Sequence, residues 1–213
     1  MMQDLFGDTR PDVKLAEGAV LLAGFATAQE DAILHAVEQV AAQAPFRHMI
    51  TPGGHRMSVA MSSCGEIGWV TDRRGYRYST HDPETGNPWP VMPELFRTLA
   101  QNSASAAGFP DFMPDACLMN RYEPGAKLSL HQDKDEADMG APIVSVSLGL
   151  PAVFQFGGLE RNSPIRKYTL LHGDVVVWGG ASRLFYHGIL PLKDGLHPRL
   201  GTQRINLTFR KTR

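Results

Sequence analysis

The chain of 213 residues is 43% hydrophobic and 20% charged, with a formal net charge of -1 and a pI near 6.7. That length accommodates one well-buried domain, and the near-neutral balance excludes the chain-wide basic footprint of a tight, non-specific nucleic-acid binder, while leaving local basic patches open. Cys64 and Cys117 form neither a C-x-x-C zinc pattern nor a disulfide framework, MMQDLFGDTRPDVKL has no basic segment followed by an apolar one, and no run approaches the roughly 18 apolar residues of a membrane span; the sequence reads as soluble, reduced and cytoplasmic.

TAQEDAILHAVEQVAAQAPF opens on Thr27 as a cap and spaces Ile33, Val37 and Val40 at helical intervals before Pro45, which predicts a helix over residues 27–43. The next stretch, TPGGHRMSVAMSSCGEIGWVTDRRGYRYSTHDPETGNPWP, is dense in turn residues yet carries Trp69, Tyr76, Tyr78 and Trp89. It reads as a long irregular lid or binding loop, with a packed structural loop as the alternative. PELFRTLAQNSASAAG gives a second helix closed by Gly108. From Asp115 onward come eight short strands: DACLMNRY, KLSLHQD, PIVSVSLGL, AVFQFGG, KYTLL, GDVVVWGG, LFYHGI and QRINLTFR. Such strand density after two helices predicts a β-sandwich or jelly roll buttressed by helices on one side.

Ionisable residues gather behind one of these strands. In GAKLSLHQDKDE the extended period puts Leu128 and Leu130 on one side and Ser129, His131, Asp133 and Asp135 on the other. An imidazole and a carboxylate two residues apart on one face are two-thirds of a facial-triad site, whose open positions suit non-haem iron(II). A short H-x-D is also a common solvated turn, so a second histidine is required. His187 in SRLFYHGILP is the better candidate, at the end of an apolar, aromatic strand and before Gly188, where backbone can approach closely. His172 and His197 lie among Gly and Pro neighbours and read as surface residues. In RINLTFR, Ile205, Leu207 and Phe209 share one face and Arg204, Asn206, Thr208 and Arg210 the other. That polar face either meets water or, with two guanidiniums about 20 Å apart at strand rise, grips a ligand carrying a carboxylate at each end. Asn120 and Tyr122 would add hydrogen bonds.

NRYEPGAKLSLHQDKDE, SVSLGLPAVFQFGG, GDVVVWGGASRLFYHGI and RINLTFR, with the spacing of TPGGHRMSVAMSSCG through Trp69, resemble the bacterial AlkB family of alkylated-DNA repair dioxygenases over about Leu15 to Arg210. The resemblance implies a single Fe(II)/2-oxoglutarate dioxygenase domain over 1–213, of α+β, mainly β class. Its double-stranded β-helix (jelly roll) would be buttressed by N-terminal helices, with residues 46–90 as a nucleotide-recognition lid. It implies His131, Asp133 and His187 as iron ligands, Asn120, Tyr122, Arg204, Asn206 and Arg210 as 2-oxoglutarate contacts, and Trp69, Tyr76, Asp135 and Arg161 as substrate contacts. Two departures stand out: Ile205, where relatives often carry an aromatic, and a weakly patterned stretch between Leu192 and Gln203. The implied reaction uses O2 to hydroxylate an N-alkyl carbon of bases such as 1-methyladenine and 3-methylcytosine, releasing succinate, CO2 and formaldehyde. The substrate would be single- or double-stranded DNA, with RNA as a further class, presented flipped out or unpaired. Trp69 would offer a face and Asp135 a carboxylate to a cationic methylated base, while Arg73, Arg74 and Arg77 would supply phosphate contacts. A monomer with no membrane contact is expected. The rival readings are a small-molecule or protein hydroxylase on the same triad, a non-catalytic metal-binding jelly roll and a nucleic-acid module without chemistry.

Overall fold

A computed structural model describes residues 10–213; the first nine, part of the stretch read above for the absence of a leader, lie outside the described residues. In chain order the strands are β1 (Val13–Ala16), β2 (Ala19–Leu22), β3 (Ala60–Gly65), β4 (Gly68–Asp72), β5 (Gly75–Ser79), β6 (Ala116–Tyr122), β7 (Leu128–His131), β8 (Ile143–Gly149), β9 (Ala152–Phe156), β10 (Arg166–Leu170), β11 (Val175–Trp178), β12 (His187–Ile189) and β13 (Arg204–Arg210). The helices are α1 (Glu30–Gln43) and α2 (Glu94–Ala106). A seven-stranded sheet runs β1-β2-β11-β8-β13-β6-β3, a four-stranded sheet runs β10-β9-β12-β7, and β4-β5 form a separate hairpin. Every named pairing is antiparallel.

Period-2 alternation divides the core between the two faces of the large sheet. Ile205, Leu207 and Phe209 of β13 join Val144, Val146 and Leu148 of β8 and Val175 and Val177 of β11 beneath Ile33, Val37 and Val40 of α1 and Phe96 and Leu99 of α2. The alternate residues, among them Ile143, Val176 and Trp178, meet Phe154, Phe156 and Ile189 of the smaller sheet. Each fully buried side chain of this size contributes about 1.5–3 kcal/mol, so both interfaces are strongly specified. At β13 the inward face turns polar. Arg204, Asn206, Thr208 and Arg210 line a cavity of about 750 Å³ between the sheets. This is a mainly β jelly roll with helices on one side, as expected.

Several local expectations change. The stretch 51–90 is not irregular: β3 pairs along its whole length with β6, and β4-β5 make a tight hairpin. Strand β3 hid because AMSSCG neither alternates apolar with polar residues nor carries a β-branched or aromatic side chain. Thr27 does not cap α1; it sits in a 3-10 turn over Thr27–Gln29, and the helix starts at Glu30 with no side-chain cap. Helix α2 does close at Gly108, whose φ of 90° suits glycine. His172 and His197 are half-buried and stacked, with ring centroids 4.5 Å apart. His172 Nδ1 accepts the Gly149 N–H at 2.9 Å and Nε2 lies 2.6 Å from Glu30 Oε2, so the turn before β11 docks the start of α1.

Candidate active site

The pairing of β12 with β7 sets His187 directly opposite His131. His187 therefore opens a strand instead of ending one. Gly188 makes the approach possible, because a Cβ there would lie 2.7 Å from the Leu128 carbonyl oxygen. The two imidazoles are oriented alike. Nδ1–H of His131 donates to the Ser129 carbonyl (2.8 Å) and Nδ1–H of His187 to the Phe185 carbonyl (2.9 Å), which leaves both Nε2 atoms as lone-pair donors. Their ring centroids are 4.4 Å apart.

Strand β7 ends at His131, so no ladder hydrogen bond holds Asp133. Asp133 lies in the following segment and is held from two sides. Arg183 Nη1 donates to its carbonyl at 2.7 Å, and Arg210 donates to Oδ2 through Nε (3.1 Å) and Nη2 (2.7 Å). Oδ1 lies 3.6 Å from His131 Nε2 and Oδ2 3.9 Å from His187 Nε2, with one ligand atom from each of the three residues within 4.8 Å of the others. Burial pushes His187 down to about 4, and the neighbouring His131 adds to this, so its imidazole is the neutral, ligating form at neutral pH. Burial works against ionisation of Asp133, but Arg210, His187 and His131 outweigh it and hold the carboxyl well below the usual range. Two imidazole nitrogens and one carboxylate oriented into one cavity fit a divalent iron-type cation with positions to spare.

The cavity wall on β13 and β6 has a second unsatisfied demand. Arg204 is 1% exposed and sits with its guanidinium 4.8 Å from the Tyr122 ring centroid; Nη2 donates to Ser147 Oγ at 2.8 Å, but among the described residues Nε and Nη1 have no hydrogen-bond partner. Asn120 Oδ1 is likewise unpartnered. Burial lowers the Arg204 pKa, the signature of a cation without a counter-charge, and such a group calls for an anionic ligand. Arg210 differs, being committed to Asp133 and, at 3.3 Å, to Glu136. The two arginines are thus not equivalent ends of one clamp. Asn206 is also held by protein groups, donating to Ser145 Oγ (2.8 Å) and the Val146 carbonyl (2.9 Å) and accepting from Thr208 (2.9 Å).

Across the cavity mouth lies the β4-β5 hairpin. Its register pairs Trp69 with Tyr78 and Thr71 with Tyr76, which puts all four side chains on one face. Trp69 and Tyr76 stack at 5.6 Å and 18°, and Trp69 Nε1 donates to Asp135 at 3.0 Å. Arg161 stands at the rim, donating to the Leu130 carbonyl at 3.2 Å. Hydrogen bonds from Arg77 and then Arg74 keep the Asp72 carboxyl well below its ordinary range, so two of the three hairpin arginines already have an anion. Sequence reasoning missed Glu136, Arg183, the hydroxyl role of Tyr78 and the serines of β8. Only Ser145 and Ser147 left a legible trace, in the alternation of IVSVSLG.

The sequence profile of the 2OG-Fe(II) oxygenase superfamily matches residues 18–210. The "Alpha-ketoglutarate-dependent dioxygenase AlkB" of Escherichia coli (strain K12) is 62% identical over 211 residues, covering 99% of this chain and 98% of that protein. The "DNA N(6)-methyladenine demethylase ALKBH1C" of Arabidopsis thaliana is 33% identical over 68% of this chain and 38% of its own length. Among solved structures, that of OsALKBH1 superposes with a TM-score of 0.83 at 31% identity, covering 94% of this chain and 100% of that one. The chain belongs to the 2OG-Fe(II) oxygenase superfamily and, within it, to the AlkB family of alpha-ketoglutarate-dependent dioxygenases, whose chemistry uses Fe(II) and 2-oxoglutarate.

Proposed function

We propose that this enzyme reverses N-alkyl damage on DNA bases such as 1-methyladenine and 3-methylcytosine, with RNA as a further substrate class, working as a monomer in the cytoplasm. The observation that carries the reading is the stacked Trp69–Tyr76 pair at the mouth of the cavity that also holds His131, Asp133 and His187. In this reading His131 Nε2, Asp133 and His187 Nε2 hold iron, while Arg204 and Asn120 offer 2-oxoglutarate the partners they lack, with Tyr122 and Asn206 shaping the wall. Arg210 acts on the co-substrate end nearest the metal while holding Asp133. Bound Fe(II), with 2-oxoglutarate and O2, supplies the oxidation that hydroxylates the N-alkyl carbon, and formaldehyde, succinate and CO2 leave.

The chain's own residues then do the selecting. Trp69 and Tyr76 present π-faces to an unpaired base, and a cationic base gains from both the faces and the Asp135 carboxylate. Arg161 and the exposed Arg73 of the hairpin contact the flanking phosphates. Within residues 46–90, the recognition lid is the β4-β5 hairpin with its flanking loops, since β3 belongs to the large sheet. Mass spectrometry of methylated oligonucleotides incubated with the protein, Fe(II), ascorbate and 2-oxoglutarate tests the proposal. Loss of the methyl mass with matched formaldehyde is expected; succinate formation with every oligonucleotide unchanged overturns it.

A further inference from the structure

Glu136 is a buried carboxylate, its side chain 2% exposed, three residues beyond Asp133 and outside the trio His131, Asp133 and His187. Three side chains converge on it and on Asp133. Tyr78 of the hairpin donates its hydroxyl to Glu136 Oε1 at 2.5 Å, Arg183 Nη2 donates to Oε2 at 3.1 Å, and Arg210 Nε lies 3.3 Å from Oε1. The same Arg210 grips Asp133 Oδ2, and the same Arg183 holds the Asp133 carbonyl and, through Nε, the Ala141 carbonyl at 2.9 Å. Two guanidiniums therefore each bridge Glu136 to Asp133, one at its side chain and one at its backbone.

We propose that Glu136, capped by Tyr78, is the positioning residue for the metal ligand Asp133. The inference rests on the reading of His131, Asp133 and His187 as the metal site. Arg210 alone, as a planar fork, is free to slide into a bidentate pair that takes both oxygens of Asp133. The second carboxylate pulls its Nε edge the other way and confines it to Oδ2. Oδ1 accepts no hydrogen bond among the described residues and stays available to the cation. Because Tyr78 lies on the same hairpin face as Trp69 and Tyr76, the strand that would meet the base is also fixed to the group that sets the ligand. Trp69 to Asp135 and Tyr78 to Glu136 tie the hairpin to consecutive residues of the Asp133 segment.

The test uses Co(II) as the probe, titrated anaerobically into the full chain and followed by its ligand-field absorption. Glu136→Gln keeps the shape and removes the charge that holds Arg210; Tyr78→Phe removes one hydroxyl and suits a variant comparison even where Glu136→Gln fails to fold. Glu136→Gln is expected to weaken Co(II) at least tenfold and Tyr78→Phe about threefold, both with an altered ligand-field spectrum, while circular dichroism shows the folded state. Wild-type Co(II) affinity and spectrum in either folded variant overturns the proposal. Asp133→Ala separates the positioning role from the metal site: if it too binds Co(II) like wild type, His131, Asp133 and His187 are not the metal site.

Discussion

Arg204 and Arg210 begin and end the same strand, are both almost wholly buried, and have opposite surroundings. Arg210 neutralises Asp133 and Glu136, so Arg210→Met strands two carboxylates and is expected to cost about 3–5 kcal/mol of stability. Among the described residues Arg204 has no carboxylate partner and two of its nitrogens are unpartnered, so Arg204→Met is expected to leave the ligand-free protein as stable or more so. The same substitution should weaken 2-oxoglutarate by about 2–5 kcal/mol. Thermal unfolding with and without 2-oxoglutarate checks both arms. Equal destabilisation by the two variants, with co-substrate protection intact in Arg204→Met, contradicts the asymmetry. The alternation in RINLTFR was legible in the sequence and puts both arginines on the cavity face. Which of them was already paired was not, because the pairing depends on Asp133 and Glu136 arriving from a segment with no regular structure.

At the level of elements, the site is a junction of β7, β12 and β13 with a hairpin laid across it. Gly188→Ala would drive a Cβ to 2.7 Å from the Leu128 carbonyl, a backbone atom that cannot swing aside. The strands must part, at a cost of about 1–3 kcal/mol, and His187 moves off His131. The expected result is a lower melting temperature together with at least tenfold weaker Co(II) binding; a variant that binds Co(II) normally would show that the pairing does not set the histidines. For the hairpin, Trp69→Ala should lose about 1–3 kcal/mol of binding to a methylated oligonucleotide, measured by fluorescence anisotropy, while 2-oxoglutarate binding is kept. Unchanged oligonucleotide binding would remove the hairpin from base recognition. The C-terminal strands were readable because they alternate or are runs of β-branched and aromatic residues, whereas β3 has neither and β4-β5 is rich in glycine, arginine and turn residues, so composition there imitates a loop.

Over the whole molecule, a net charge of -1 constrains how it can hold a polyanion. No global field draws nucleic acid in, so attraction must come from cations near the cavity mouth. Arg56, Lys127, Lys134 and Arg161 line that cavity, and Arg73 is exposed at the hairpin turn, whereas Arg74 and Arg77 share the Asp72 carboxylate and present a reduced charge. Each phosphate neutralised on a single strand releases roughly 0.7 of a counterion, so four or five contacts give log K against log salt a slope of about -3. Between about 50 and 200 mM salt the affinity for a methylated single-stranded oligonucleotide should then fall about 60-fold. Arg73→Ala should flatten the slope by about 0.7 and leave discrimination between methylated and unmethylated strands unchanged, since a phosphate contact carries no base information. Anisotropy titrations across that salt range decide the matter. A slope steeper than about -6 would require basic residues well beyond the rim, and a slope near zero would mean that stacking on Trp69 and Tyr76 alone holds the strand.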